Sequence, residues 1–154
     1  MITETTLAED SIATQVHAVA RAAYRLEAAR IGCTDFPPLR ESLTDLRKSP
    51  DTFLIYEQSG SIIGVLSFDR GTDAVTITRL VVRPTHLRQG VATALLAELE
   101  RRLAPHERLT VSTARANTPA VHLYQQLGYT MTRGTDSPEG IPLLYFTKSN
   151  DHAA

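Results

Sequence analysis

The sequence holds a single cysteine, Cys33, so no disulfide can form within the chain. That fits a reducing compartment, and a cytoplasmic location is the expectation. With no histidine near it in sequence, Cys33 reads as a small buried hydrophobe, not a nucleophile. A charge excess of one sign is missing as well: 16 Lys and Arg stand against 17 Asp and Glu, a net charge of -1. Without a basic excess to displace counterions from phosphates, nucleic acid is not an expected partner. No apolar run approaches the roughly 20 residues of a membrane span, so no membrane is expected. The first residues lack the basic-then-apolar pattern of a leader. Neither Gly-x-Gly-x-x-Gly nor a Gly-Lys-Ser/Thr ending occurs, which counts against a dinucleotide or P-loop nucleotide module.

What is present suits one enzyme domain over residues 1–154, with 42% hydrophobic and 21% charged residues, no repeat and no low-complexity segment. The chain is organised around the stretch from Arg79 to Leu96. Val75, Ile77, Leu80, Val81 and Val82 form a short β-branched run that reads as a strand. Pro84 ends it, because a fixed φ and a missing N–H cannot continue a ladder. From Val91 the period changes to that of a helix: Val91, Leu95, Leu99 and Leu103 form a stripe, with Ala92 and Leu96 beside it. The turn between strand and helix carries the chemistry. A helix N-terminus presents unpaired N–H groups and partial positive charge, and so favours an anion. Gly90 lets backbone and ligand approach closely, Ala92 keeps the next contact small, and Arg88 and Gln89 supply side-chain donors. Such a turn is suited to a pyrophosphate.

Elsewhere, Ile2 to Leu7 is an expected first strand. A helix capped by Ser11 runs to about Arg30, with Ile12, Val16, Val19, Ala20, Ala23 and Leu26 inward and Gly32 as its stop. Cys33 to Pro38 is expected as loop, and Leu39 to Lys48 as a short helix. Phe53 to Tyr56 and Ile62 to Phe68 read as a hairpin through Gln58-Ser59-Gly60, leading by Gly71-Thr72-Asp73 into the central strand. A strand at Leu109 to Ser112 should lie parallel to it, since a helix separates them. Asn117 or Thr118 caps a further helix that closes at Gly128. Tyr129 to Thr132 and Leu143 to Thr147 form the last pair, with Asn150 to Ala154 as a frayed tail. Helices, a meander, one crossover and a final pair predict a mixed sheet, not a doubly wound one.

Val82-Arg83-Pro84 followed by Leu87-Arg88-Gln89-Gly90-Val91-Ala92 resembles motif A of the GNAT superfamily of acyl-CoA-dependent N-acetyltransferases. Gly90 and Ala92 match that motif's small positions; Leu87 stands where Arg or Gln is usual. The segment Ala114 to Tyr129, with Asn117, Leu123-Tyr124, Gly128 and Tyr129, resembles motif B of the same superfamily. The resemblance spans roughly Thr52 to Lys148. It implies an α/β (α+β) fold with a mostly antiparallel central sheet flanked by helices, splayed between the strands before and after the central helix. It also implies acetyl-CoA as co-substrate, with no metal. The pantetheine arm would lie in the splay along Leu80, Val81 and Val82, and the pyrophosphate on the turn from Leu87 through Arg88, Gln89, Gly90, Val91 and Ala92 to Thr93. The Leu80 N–H would polarise the thioester carbonyl, Asn117 would hold the pantetheine, and Tyr124 would protonate the departing thiolate.

In many members of the superfamily a central-strand carboxylate acts as base. Here that position is Thr78, followed by Arg79, and neither is a base at neutral pH. The candidates are Glu27 and Asp35, with His86 and His122 behind them. Tyr24 and Glu27 share a helix face, and with Asp35 and Phe36 they form the expected acceptor pocket. A lysine amine with a pKa of about 10.4 is neutral only once in a few thousand molecules at pH 7, whereas an α-amine needs much less help. The reading is therefore an N-acetyltransferase acting on a small-molecule or peptide amine, with a homodimer left open. The alternative is a catalytically silent acyl-CoA-binding regulatory domain.

Overall fold

The computed structural model describes residues 1–150. Seven described strands, β1 (Ile2–Thr5), β2 (Thr52–Gln58), β3 (Ser61–Arg70), β4 (Ala74–Val82), β5 (Arg108–Ala114), β6 (Thr130–Asp136) and β7 (Pro142–Ser149), form one sheet in the order β1-β2-β3-β4-β5-β7-β6. All neighbouring pairs are antiparallel except β4 and β5, the two strands joined through the crossover helix. Among the described residues, four α-helices flank the sheet: α1 (Asp10–Ile31), α2 (Leu43–Arg47), α3 (Val91–Arg101) and α4 (Thr118–Gln126). This is the mixed, mostly antiparallel architecture expected.

The core lies in two layers, one on each face of the sheet. Under α1 and α2, Val16, Val19, Ala20 and Leu46 pack on Phe53, Ile55, Val65 and Val81. Under α3 and α4, Leu95, Leu96 and Leu99 pack on Leu54, Leu66, Ile77, Val111 and Phe146. Because β2 and β3 are covered on both faces, they read as continuous apolar runs and not as alternating ones. The first turn of α3 sits unusually close to β3. A β-carbon at Gly64 would come within 2.5 Å of the Val91 side chain, so only glycine allows this approach.

Several boundaries differ from those expected. The N-cap of α1 is Glu9, with no side-chain cap; Ser11 lies inside the helix, and Asp10 in the first turn complements the dipole. The Leu39 to Lys48 segment is not one helix. Pro37–Arg40 form a 3₁₀ turn, and Ser42 then opens α2 with a reciprocal capping box to Asp45. Prolines at the start of such a turn lose only an N–H that would lack a partner anyway. β6 runs on to Asp136, so the final turn is confined to residues 137–141. Asn117 is the cap of α4, settling the choice between it and Thr118. Cys33 is partly exposed rather than buried. The expected frayed tail falls outside the described residues from 151 on, while Asn150 donates its amide to the Ala104 carbonyl at 2.9 Å.

Candidate active site

Strands β4 and β5 pair only from Ala74 opposite Arg108 to Thr76 opposite Thr110, and then separate. The Arg108 N–H donates to the Asp73 carbonyl at 3.1 Å, so odd-numbered residues at the start of β4 aim their backbone groups at β5. A β-bulge reverses that parity. Ser67 lies opposite Arg79 and Phe68 opposite Ile77, which leaves Thr78 as an extra residue. Beyond the bulge the Arg83 N–H donates to the Ile63 carbonyl of β3 at 2.7 Å. By alternation Val81 also faces β3, and the N–H groups of Leu80 and Val82 face the gap. The side chains follow the same reset: Ile77, Leu80 and Val82 lie on the α3 face, and Val81 on the α1 face.

The gap opens at one end onto the N-terminus of α3. Gly90 is its N-cap with φ 77°, no side chain caps the helix, and a β-carbon at Gly90 would meet nothing within 4 Å. The first N–H groups of α3 therefore face an open groove. Arg88 is held at φ 62°, a left-handed conformation uncommon for a residue with a side chain, and it borders the groove. Arg30 borders the same space of about 370 Å³, so two guanidiniums give it a cationic rim, with His86 and His122 beside them. Through Val82, Leu87 and Ala92 the groove continues between α1 and α4, past Leu80, Asn117 and Tyr124. It ends in a cleft of about 290 Å³.

Where groove and cleft meet, Glu27 of α1 approaches the start of α4. The Asn117 Oδ1 accepts the Ala120 N–H at 3.4 Å, so its amide nitrogen is left to donate to the Glu27 carboxylate. Burial pushes the Glu27 carboxyl above its ordinary range, and the Asn117 bond and Arg30 only partly offset this. Tyr124 is 4% exposed and packed against the rings of Tyr129 and Phe146, with centroids at 5.4 and 5.5 Å. Burial, and then the nearby Glu27 charge, push its phenol well above the usual value, so it stays protonated at neutral pH.

The model of the Acetyltransferase (GNAT) family matches residues 16–129 of the chain. The chain belongs to this family. A curated relative, the UPF0157 protein YqkA of Bacillus subtilis (strain 168), is 36% identical over 138 residues, which cover 90% of this chain and 40% of that one. The chain thus spans about two fifths of that relative's length. An aminoglycoside 6'-N-acetyltransferase complexed with coenzyme A superposes with a TM-score of 0.75 at 14% identity, over 97% of both chains. The PaiA N-acetyltransferase of Thermoplasma acidophilum, in complex with coenzyme A, gives 0.75 at 17% identity over 94% of this chain and 98% of that one. The ribosomal-protein-S18-alanine N-acetyltransferase of Escherichia coli gives 0.69 at 20% identity over 96% and 92%. At such identities the likeness is one of fold.

In this GNAT chain the far cleft is walled by Tyr24, Phe36, Pro37 and Pro38 on one side and by Ser137, Glu139 and Ile141 on the other. Tyr24 and Phe36 meet edge to face, with centroids 6.1 Å apart. The proline loop is pinned from α1: Arg21 donates to the Leu39 carbonyl at 3.1 Å, and the His17 ring contacts the Glu41 carbonyl at 3.0 Å. Of the expected acceptor residues, Tyr24, Glu27 and Phe36 come together. Asp35 does not join them. Its side chain is 78% exposed and forms a two-pronged pair with Arg40 at 2.6 and 3.2 Å, away from the cleft lining. Among the turn residues, Leu87, Arg88, Gly90, Val91, Ala92 and Thr93 border the groove, whereas Gln89 is exposed outside it. His86 and His122 border the groove beside the N-terminus of α3 and do not line the cleft. Among the described residues, no three His, Cys, Asp or Glu side chains gather as a metal site. Reading the sequence missed Glu139 and Ser137, because only the fold brings the last turn over the cleft.

Proposed function

We propose that this chain transfers the acetyl group of acetyl-CoA to a primary amine, of a small molecule or a peptide α-terminus, by direct attack in a ternary complex. The observation that carries this is the gap between β4 and β5. It presents the Leu80 and Val82 N–H groups to a groove with an uncapped helix N-terminus at one end and an amine-sized cleft at the other. The residues present suit acetyl-CoA: the open backbone at Gly90 and the cationic rim match a pyrophosphate, and the unpaired edge of β4 matches an amide-bearing pantetheine arm.

Bound there, acetyl-CoA supplies an activated thioester carbonyl. The Leu80 N–H stabilises negative charge developing on that oxygen. Glu27, with its carboxyl raised by burial, accepts the proton of the attacking amine and replaces the missing central-strand carboxylate. Tyr124 donates the proton that the departing thiolate needs. Tyr24 and Phe36 give the acceptor an aromatic wall, and Glu27 and Glu139 line the same cleft, where the charge of Arg79 is already paired with Glu41 and Asp51. Among the structural relatives, the acetyltransferases for an aminoglycoside and for the alanine of a ribosomal protein are consistent with an amine acceptor.

The test is a panel of α-amines, lysine amines, polyamines and amino sugars with acetyl-CoA, read by thiol release and product mass. Amine-dependent thiol release with a matching gain of one acetyl group supports the assignment. Binding of acetyl-CoA with no turnover across the panel would leave the acyl-CoA-binding regulatory domain instead.

A further inference from the structure

The bulge at Thr78 is held by a polar cluster, buried at Ser67 and open to the cleft at Thr78, that the acetyl-transfer scheme does not use. The Thr78 hydroxyl donates to Asp51 Oδ2 at 2.7 Å and lies 2.7 Å from the hydroxyl of Ser67, a residue with no exposed surface. Arg79, next in the chain, reaches the same two groups: Nη1 donates to Asp51 Oδ2 at 3.0 Å and to Ser67 Oγ at 3.1 Å. Its other edge grips Glu41 with two bonds, Nε to Oε1 at 3.0 Å and Nη2 to Oε2 at 2.5 Å. The guanidinium also stacks over the Phe53 ring at 5.4 Å. The Arg79 side chain is 12% exposed, so this cation sits in two carboxylate pairs largely shielded from water.

Three elements meet at this one cation. Asp51 precedes β2, Ser67 belongs to β3, and Glu41 follows the 3₁₀ turn that forms the acceptor wall. A bulge is a local defect in a ladder, and without a lock the strand could slide back into continuous pairing. Sliding by one residue would turn the Leu80 and Val82 N–H groups from the gap toward β3. Only Arg offers a planar fork wide enough to bind Glu41 in two places while a third donor serves Asp51 and Ser67.

We propose that Arg79, with Asp51 and Thr78, is a positioning group: it locks the bulge and so aims the Leu80 N–H into the gap, and through Glu41 it fixes the acceptor wall to the same point. The catalytic part of this inference rests on the acetyl-transfer reading; the structural part does not. Two consequences separate the arms of the cluster. Loosening the bulge lowers kcat, because the oxyanion donor loses its alignment. Loosening the Glu41 arm raises the KM of the amine, because the proline loop drifts.

The test compares Arg79→Lys, Asp51→Asn and Glu41→Gln with the parent chain, using the amide resonance of Leu80 as a direct probe. In the ligand-free protein the Leu80 and Thr78 amides of Arg79→Lys and Asp51→Asn should move, while amides around Gly90 stay in place. With acetyl-CoA and an accepted amine, kcat should fall by about tenfold or more, and acetyl-CoA affinity by no more than about threefold. Glu41→Gln should raise the amine KM by more than it lowers kcat. Asp51→Asn keeps a bond from Thr78 and so serves if Arg79→Lys fails to fold. Folded variants whose Leu80 amide and kcat match the parent would overturn the proposal. So would a uniform loss of thermal stability with the Leu80 amide unmoved. If instead the parent itself shows no Leu80 shift on adding acetyl-CoA, the acetyl-transfer reading fails, and the ligand-free spectra still decide the lock.

Discussion

Asn117 serves two groups: its oxygen caps α4 through the Ala120 N–H at 3.4 Å, and its side chain, set against the Glu27 carboxylate of α1, holds the pKa of that group down against the effect of burial. One side chain thus orients a helix N-terminus and holds the proposed base. Removing it in Asn117→Ala should lower stability by about 1 kcal/mol through the lost cap. It also removes an influence that lowers the Glu27 pKa, so that pKa should rise further. Since a base must be ionised to act, the acid limb of the kcat–pH profile should move to higher pH. An unmoved limb would take Glu27 out of the proton path.

Glu27 also links folding to pH. Its folded pKa is raised above the ordinary value of 4.5, so the folded state holds a proton that the unfolded chain has already lost. Its favourable contribution is complete below 4.5 and is lost as pH rises through the folded value. Glu27→Gln keeps the Asn117 contact and does not ionise. Melting temperatures of the two proteins should agree at acidic pH, with the Gln variant gaining on the parent as pH rises toward neutral. A difference independent of pH would show that folding does not raise the Glu27 pKa.

At the other end of the groove, Gly90→Glu places a side chain and a negative charge where the pyrophosphate is proposed to lie. Acetyl-CoA affinity should weaken by at least about tenfold, or about 1.4 kcal/mol. A side chain at φ 77° carries its own strain, so Gly90→Ala is the control. The Ala variant should share any loss of stability while keeping most of the affinity. Equal affinity for parent and Gly90→Glu, measured by calorimetry on folded protein, would remove the phosphate turn.

Asp35 provides a contrast within the acceptor region. Its exposed pairing with Arg40 lies outside the cleft lining, and an exposed pair contributes little to stability. Asp35→Asn should leave the KM of the amine within about twofold of the parent, whereas Tyr24→Ala, which removes a wall of the cleft, should raise it clearly. A large KM change in Asp35→Asn would mean that the proline loop closes over the amine when it binds.

The elements legible in the sequence are those whose signals are local. Val91, Leu95 and Leu99 show the helical stripe, Gly32 and Gly128 mark stops, and Leu87 to Thr93 carries the open, uncapped helix start in its own composition. Motif position put Tyr124 and Asn117 beside the groove, where the structure has them; their roles are part of the proposal. What escaped the sequence depends on distant pairing. The bulge at Thr78 is defined only against Ser67, and Arg79 looks like an ordinary strand residue until Glu41 and Asp51 fold around it. Gly64 gave no hint that α3 would press on it. Asp35 was misplaced because an acid beside an aromatic in a stiff loop does not reveal that Arg40 will take its charge.

Whether the buried phenol at the meeting point of groove and cleft does chemistry is tested most directly by Tyr124→Phe. The substitution removes only a hydroxyl and keeps the ring between Tyr129 and Phe146, so packing is retained. With an accepted amine, kcat should fall by about 10²–10⁴-fold if protonation of the thiolate limits the rate. Acetyl-CoA affinity should change by no more than the ~1 kcal/mol of one hydrogen bond. Loss of kcat with binding intact is the result predicted. Full activity in the Phe variant would contradict it, leaving Tyr124 as a packing residue and water as the proton donor.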